Sequence, residues 1–168
     1  MPLLAAIVTG LLLISQHIVY SLLAAKQQIR SNSRMYTEAQ LHNLYIPLKV
    51  LLATGKIKYY AFKEKYSNYG SFIEVLIEEP DTKDDYLVKI MTEHNRKVYE
   101  HILANLDLVG DSVMAEKISS LLAHYNVLFG VVEYQAIEDS SDLLGKYTFP
   151  GGIHESVESY IKVLESKK

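Results

Sequence analysis

The sequence predicts an all-α protein in which one N-terminal transmembrane helix precedes a cytosolic domain of about five or six helices. Two observations lead to this fold class. Residues 3–25 contain no Asp, Glu, Lys or Arg, and farther along the 168-residue chain apolar side chains recur at steps of three and four, as on a helix with one buried face. The predicted boundaries are 1–35 for the membrane helix with its basic linker and 36–168 for the helical domain.

The uncharged segment at 3–25 contains 23 residues and is long enough to span a bilayer. At a rise of about 1.5 Å per residue, such a helix crosses a hydrocarbon core of about 30 Å with some tilt. A secretory signal peptide is the main alternative, but it requires a basic region before the apolar stretch, and no charged side chain precedes residue 3. A buried core helix fits less well, because such helices are seldom apolar over this length.

The distribution of basic residues predicts the orientation of the span. Lys26, Arg30 and Arg34 follow it, whereas no basic side chain precedes it. Because Lys and Arg accumulate on the cytoplasmic side, we expect the N-terminus outside and the C-terminal domain in the cytoplasm. Residues 1–65 hold eight basic and two acidic side chains, and residues 66–168 hold nine basic and eighteen acidic ones. The basic part suits an anionic lipid surface, or alternatively a nucleotide or nucleic acid.

Small and polar side chains form a line along one face of the predicted span, which we call the seam. Gln16 lies near mid-membrane, where an amide needs a partner that another copy of the helix can supply. The seam is interpreted as helix–helix contact in a homo-oligomer, as a water-lined pore with a ring of Gln16, or as a single anchor that tolerates one amide. Its members alternate steps of four and three, like heptad a and d positions, and those assigned to the pore or seam are Thr9, Leu13, Gln16, Tyr20 and Gln27.

The first cytosolic helix is predicted from leucines that recur at steps of three and four between residues 41 and 52. Pro47 should kink or restart this helix, and Gly55 is expected to end it as a C′ residue. Residues 56–79 are interpreted as two short helices broken near 68–70. A strand at 57–62 is the alternative, because its residue types also suit strands.

The second half of the domain is predicted to contain three further helices. A turn at residues 80–85 precedes a long amphipathic helix at 86–106. Asp111 is the expected N-cap of the next helix, whose buried face includes Val113. A loop at 149–152 leads to a short last helix at 155–164. Short connections of this kind favour antiparallel neighbours.

Several classes of chemistry are excluded by the sequence. The chain has no Cys, so it has no thiol nucleophile, disulfide or thiolate metal ligand. It contains no phosphate-binding loop, dinucleotide-binding glycine pattern, serine-hydrolase motif or zinc-protease motif. Its six His residues are not spaced as metal ligands. We therefore expect no enzymatic activity, no cofactor and no metal.

Basic side chains near aromatic ones are the candidates for binding an anion. Lys and Arg are the usual partners of phosphate, and tyrosines between lysines suit a stacked single strand. The alternative for the lysines of residues 56–65 is packing at lipid headgroups. For His94, Lys97 and His101, which share a helix face, the alternative is an exposed surface. The residues assigned to an anion or oligonucleotide are Arg30, Arg34, Lys56, Lys58, Arg96 and Lys97.

The order of these segments is similar to that of small bacterial membrane-anchored anti-phage effectors. An apolar span and a basic linker precede Leu44-Tyr45-Ile46-Pro47-Leu48, which opens the helical domain. In this the chain resembles the membrane effector of the Hailong system and the anchored effectors of CRISPR systems that signal through cyclic oligonucleotides. The resemblance implies a location in the bacterial inner membrane, assembly as a tetramer, and a nucleotide signal made by a partner nucleotidyltransferase. It assigns no ligand-binding residue.

The sequence thus leads to the hypothesis of a homo-oligomeric inner-membrane effector. Its cytosolic domain would sense a nucleotide or a short single-stranded oligonucleotide, and the seam around Gln16 would gate or disrupt the membrane. Two other classes stay open. The chain could be a membrane-anchored scaffold that binds a protein partner without conducting ions, or an enzyme without a recognised motif.

Overall fold

The structure, a computed structural model, describes residues 33–134 and 148–167. Every regular element within these ranges is helical, which confirms the all-α prediction for this part of the chain. The predicted span at 3–25 lies outside the described residues, as do Arg30 and all five residues assigned to the seam, namely Thr9, Leu13, Gln16, Tyr20 and Gln27. Within the two described ranges, no helix is both long and apolar enough to cross a bilayer.

The first helical run continues from residue 33 to residue 65 without a break. It consists of α1 (Ser33–Ala39), a π-helical turn (Gln40–Tyr45) and α2 (Ile46–Lys65). Pro47 lies in the first turn of α2. Proline has no N–H group and its ring crowds the carbonyl four residues earlier, and the wider turn before it relieves that crowding. The predicted restart at Pro47 is therefore present as a change of helix type.

Gly55 does not end the first helix, and the sequence-based prediction on this point is wrong. The helix α2 continues through Gly55 to Lys65, which also excludes the alternative strand at residues 57–62. Gly55 faces the helix at residues 86–104 instead, and a Cβ added to it would lie 2.9 Å from Nε2 of His94. The small residue is required by the close approach of two helices, which a local sequence pattern does not show.

The short helix α3 (Phe72–Glu78) follows a turn at residues 66–71, where the sequence predicted a break. Ser71 and Glu74 form a capping box at its start. The Glu74 N–H donates to the Ser71 hydroxyl at 3.2 Å, and the Ser71 N–H donates to the Glu74 carboxylate at 3.1 Å. This arrangement satisfies two N–H groups that would otherwise lack partners.

The long helix α4 (Tyr86–Ala104) ends within two residues of its predicted boundary. A 3-10 turn (Pro80–Asp84) leads into it. Asp85 caps the helix by accepting a hydrogen bond from the Leu87 N–H at 2.9 Å. The Lys65 ammonium also contacts the Asp85 carboxylate, and this bond lowers the pKa of Asp85 below its usual value.

The last two helices are α5 (Ser112–Tyr134) and α6 (Ile153–Glu165). Asp111 caps α5, as predicted, by accepting a hydrogen bond from the Met114 N–H at 3.0 Å. Val113, predicted to be buried, is 64% exposed, because Met114 and Ala115 occupy the inward face of that first turn. The helix α6 begins after Gly152, whose positive φ of 73° suits a residue without a Cβ.

The helices α2 and α4 form the centre of the domain and pack along each other. The helix α6 packs against the π turn and α2, and α5 packs against α3 and α4. This arrangement produces one apolar core to which every helix from the π turn onward contributes. Side chains with almost no exposed surface in this core are Leu41, Leu44, Leu48, Phe62, Val75, Ile102, Ile118, Leu121, Leu128, Ile153 and Val157.

One end of the α2–α4 pair, which we call the closed end, is filled by the π turn and the connection between α4 and α5. The Gln40 side chain donates to the Leu108 carbonyl at 3.0 Å. The Gly110 N–H donates to the Tyr45 hydroxyl at 2.9 Å. The Tyr160 ring of α6 packs on the Tyr45 ring with centroids 4.8 Å apart. The π turn therefore holds the α4–α5 connection through two hydrogen bonds and holds α6 through an aromatic contact.

Candidate functional site

A cavity of about 440 Å³ lies along the middle of the α2–α4 pair, farther along it than the closed end, and we call this region the open end. Its volume is within the range of small-molecule sites, roughly 300 to 1,000 Å³. Its walls come from α2, α4 and α5 and from the beginnings of α3 and α6. The lining residues are Leu52, Gly55, Lys56, Tyr59, Tyr60, Ser71, Phe72, Ile73, Met91, His94, Asn95, Val98, His124, Tyr125, Thr148, Phe149 and His154.

The residues that line the cavity differ in charge from residues 66–168 as a whole. Among the residues that the structure describes, no carboxylate lines it, although residues 66–168 carry eighteen Asp and Glu against nine Lys and Arg. Apart from tyrosines, its ionisable groups are Lys56 and the three histidines His94, His124 and His154. The cavity therefore favours an anionic or neutral ligand over a cation.

His94 is held in one orientation between α4 and α2. Its Nε2–H donates to the Leu51 carbonyl at 2.9 Å, so its Nδ1 accepts the hydrogen bond from the Lys58 ammonium at 3.3 Å. Burial lowers the pKa of His94 below its usual value, and the charges of Lys58 and Lys97 act in the same direction. We infer that His94 is neutral at pH 7 and that its ring is a fixed part of the cavity wall.

Asn95 and Tyr125 add neutral polar groups to the same wall. Asn95 is buried, and its amide offers both a donor and an acceptor. Burial raises the pKa of Tyr125 well above its usual value, so its hydroxyl stays protonated at neutral pH. A ligand with both donors and acceptors on one edge can therefore be matched without a charged partner.

The mouth of the cavity is aromatic. Phe149 is 41% exposed, and its ring meets His124 edge to face with centroids 5.5 Å apart. His154, in the first turn of α6, lies 6.3 Å from the same ring. Across the mouth, the Lys56 ammonium lies 6.0 Å from the centroid of the exposed Tyr60 ring. Flat rings beside a cation are suited to an aromatic ligand that carries negative charge.

The residues predicted to bind an anion do not come together in one site. Lys56 lines the cavity, and Lys58 donates to His94 beside it. Lys97 is exposed on α4, close enough for its charge to act on His94. Arg96 lies over the Phe129 ring, with its guanidinium carbon 4.8 Å from the centroid.

The remaining two predicted anion ligands are not part of the cavity as described. Arg34 lies on α1, where it pairs with Glu38 at 3.5 Å. It precedes Lys56 by 22 positions of continuous helix, which at 1.5 Å per residue is roughly 33 Å. Arg34 and Lys56 therefore cannot contact one small ligand within a single chain. Arg30 lies outside the described residues.

The prediction that His94, Lys97 and His101 share an exposed helix face is wrong for the two histidines. His94 is only 3% exposed, and the Nε2–H of His101 donates to the Leu44 carbonyl at 3.0 Å. The two histidines are seven residues apart, as are the two carbonyls that they bind, at Leu44 and Leu51. That spacing is visible in the sequence, but its meaning depends on α2 lying antiparallel to α4.

Comparisons with protein-family models, curated proteins and solved structures find no match to this chain. Its function must therefore be argued from the cavity and from the sequence. Within residues 33–134 and 148–167, no group of three or more His, Asp or Glu side chains is arranged to hold a metal ion.

Proposed function

We propose that this chain is a homo-oligomeric membrane effector whose helical domain binds a nucleotide-type ligand in the cavity at the open end. The observation that carries the proposal is the composition of that cavity, an aromatic mouth with Lys56 and three histidines and no carboxylate among its described lining residues. A base can stack on aromatic rings, and a phosphate is attracted by the ammonium of Lys56.

The volume of the cavity favours one nucleotide unit. About 440 Å³ is near the lower end of ligand sites, so an oligonucleotide would place one unit inside and the rest at the mouth. Asn95 and Tyr125 supply the polar groups that distinguish one base edge from another. In this proposal, the short single-stranded oligonucleotide predicted from the sequence binds with one of its nucleotide units buried in the cavity.

The continuous helix gives a route from the cavity toward the predicted span. The walls of the cavity include α2, and α2 continues back through the π turn to Ser33, eight residues after the predicted span ends at Ala25. A ligand that binds one packing of α2 and α4 more tightly than another shifts the population of the assembly toward that packing. In this proposal the shift changes the contacts of the seam at Gln16.

Ligand binding is tested first, on the full chain in detergent micelles. Mononucleotides and short cyclic and linear oligonucleotides are added, and affinity is measured by calorimetry. For a ligand that binds, Lys56→Gln should weaken affinity about tenfold, which corresponds to about 1.4 kcal/mol. The matched control is Lys162→Gln, an exposed lysine of α6 outside the cavity. Equal affinity for both variants, or no binding by any nucleotide, would contradict the proposed site.

Membrane permeability is tested separately, in liposomes loaded with a fluorescent dye. We expect leakage from liposomes that contain the wild-type chain and its ligand, and markedly less with Gln16→Leu. Equal leakage from both would exclude a role for the seam. Ligand binding without leakage in either case would favour the membrane-anchored scaffold, with the cavity acting as a regulatory site.

A further inference from the structure

The helix α2 carries apolar side chains on two opposite faces. Its inner face, with Leu48, Leu52 and Phe62, is buried in the core. Its outer face exposes Val50, Ile57 and Tyr60, which are 60%, 70% and 60% accessible. Together with exposed Ile46 and Ala53, these side chains form what we call the outer stripe, made up of Ile46, Val50, Ala53, Ile57 and Tyr60.

The outer stripe has the spacing of a coiled-coil seam. Its members follow one another at steps of four, three, four and three, which places them alternately at d and a positions of a heptad. A single exposed apolar residue needs no explanation, but a contiguous exposed row on one helix marks a contact surface. The same alternation of four and three defines the seam of the predicted span, which extends from Pro2 to Gln27.

The charges beside the outer stripe distinguish between two ways of pairing. Lys49, Lys56 and Lys63 follow one flank at steps of seven, in g positions. The other flank, in e positions, is uncharged and consists of Pro47, Thr54 and Ala61. In a parallel pair each g flank faces the partner's e flank, whereas in an antiparallel pair the two lysine rows face each other. Lys49 pairs with Glu158 of its own chain at 3.0 Å and Lys63 donates to the Tyr69 carbonyl, so the repulsion between two facing rows comes chiefly from Lys56. Because like charges in contact are unfavourable, the flanks favour parallel pairing.

We propose that the outer stripe joins the α2 helices of neighbouring copies of this chain in parallel. This inference rests on the homo-oligomer of the proposed function and names the cytosolic surface that forms it. Parallel pairing is also the arrangement available to copies that enter one membrane in the same orientation. The occupant of the stripe is therefore a second copy of the chain.

The small area of the outer stripe gives the predicted membrane anchor a role in assembly. Five side chains, of which one is aromatic, bury roughly 400 Å² per copy, whereas a stable interface buries about 800 Å² per partner. The stripe alone is too small for stable association in solution. Copies held in one bilayer have a high effective concentration, and the predicted seam, which lies outside the described residues, would add further contact area. Together, the outer stripe and the predicted seam would provide the contact area for stable association that neither provides alone.

The outer stripe and the cavity share residues. Tyr60 belongs to the stripe and lines the mouth, and Lys56 lies on the flank of the stripe and lines the cavity. An anionic ligand at Lys56 neutralises one charge of the lysine row, and contact with Tyr60 orders one side chain of the interface. Ligand binding and helix pairing therefore act on the same two residues.

The test uses single-cysteine variants, because the native chain has no Cys. Val50→Cys and Val113→Cys are matched, since both valines are exposed on helices, at 60% and 64%. The full-length variants are reconstituted in liposomes and oxidised under mild conditions. Cysteines at facing positions of a parallel pair come within the roughly 4.4–6.8 Å between Cα atoms that a disulfide needs. We expect Val50→Cys to form covalent dimers at least about tenfold faster than Val113→Cys, in line with that geometric requirement.

Each other outcome overturns the inference in a recognisable way. Disulfides formed only in a mixture of Val50→Cys and Tyr60→Cys chains, whose positions are about 15 Å apart along one helix, would mean antiparallel pairing. Equal rates for Val50→Cys and Val113→Cys would mean random collision.

Two further outcomes separate this inference from the proposed function. Failure of Val50→Cys to dimerise or to react with a maleimide would mean that another segment of the same chain covers the stripe. An oligomeric mass in detergent together with no Val50→Cys disulfide would leave the proposed effector standing and exclude the stripe. A monomeric mass would exclude both.

Discussion

The two ends of the α2–α4 pair contain the same contact in different surroundings. At the closed end the His101 ring donates to the Leu44 carbonyl at 3.0 Å, and at the open end the His94 ring donates to the Leu51 carbonyl at 2.9 Å. One heptad separates the two histidines, and one heptad separates the two carbonyls. The contact fixes the register of the two helices at both ends, so it does not by itself explain the cavity at the open end.

The difference lies in the residues that fill the space beside the contact. At the closed end, the rings of Tyr45 and Tyr160 pack against each other at an interplanar angle of 56°, and Gly110 lets its backbone reach the Tyr45 hydroxyl. At the open end, Gly55 brings α2 against His94, and the volume beyond remains as the cavity. We infer that the closed end stabilises the fold and that the open end is available for a ligand.

The largest effect is expected from Gly110→Ala at the closed end. An added Cβ would lie 2.8 Å from Cε1 of Tyr160 and closer still to its hydroxyl. Tyr160 cannot move away without losing its contact with Tyr45. We expect a loss of about 3 kcal/mol in the free energy of unfolding, at the upper end of overpacking effects. Thermal unfolding followed by circular dichroism measures it.

The matched control for this prediction is Gly151→Ala. An added Cβ at Gly151 meets no atom within 4 Å, so we expect a change of less than about 0.5 kcal/mol, as for an ordinary surface substitution. If both variants were equally stable, the closed end would be loosely packed and the contrast between the ends would disappear.

The second effect concerns a single hydrogen bond at the closed end. Tyr45→Phe keeps the ring that packs on Tyr160 and removes the oxygen that accepts the Gly110 N–H. Leaving a buried donor without an acceptor costs about 1 to 2 kcal/mol. Tyr60→Phe is the control, because Tyr60 is exposed and its hydroxyl can be replaced at little cost. Urea unfolding measures the free energy of unfolding of both variants. Equal losses in the two would mean that the Gly110 N–H finds another acceptor in Tyr45→Phe.

The sequence predicts the parts of this fold that depend on local chemistry. The bounds of α4, the break before α3 and the cap at Asp111 follow from apolar periodicity and capping residues, which act within a few positions of the chain. Gly55 was misassigned because its role depends on His94, which is 39 positions away. The cavity was missed for the same reason, since it needs five helices in place. Of the predicted anion ligands, Lys56 lines it, and Lys58 adjoins it through His94.

The third effect is a pH dependence that belongs to the open end. Burial lowers the pKa of His94 in the folded chain, so below pH about 6.5, the usual value for histidine, the unfolded chain binds more protons at this residue. The stability that His94 contributes is therefore fully present above that pH and decreases as the pH falls toward its lowered pKa. The measurement is the midpoint of urea unfolding between pH 7.5 and 5.5.

The control for this pH dependence is His94→Gln. An amide can still donate to the Leu51 carbonyl and accept from Lys58, but it does not titrate. The variant should lose less stability than the wild-type chain over the same pH interval. If the stability of both chains changed equally with pH, His94 would keep its usual pKa. The description of its ring as a neutral, fixed part of the cavity wall would then be wrong.

The smallest effect has the opposite sign and also tests the open end. Within the described residues, the Thr92 hydroxyl is buried without a hydrogen-bond partner, two positions before His94 on α4. Thr92→Val replaces it by a methyl group at almost equal helix propensity. Removing an unsatisfied polar group should raise the free energy of unfolding by up to about 1 kcal/mol. In Thr37→Val the lost hydroxyl is bonded to the Ser33 carbonyl at 2.7 Å, so that control should lose stability. If Thr92→Val also lost stability, the Thr92 hydroxyl would have a hydrogen-bond partner. The buried polar groups at the open end would then be as fully hydrogen-bonded as those at the closed end.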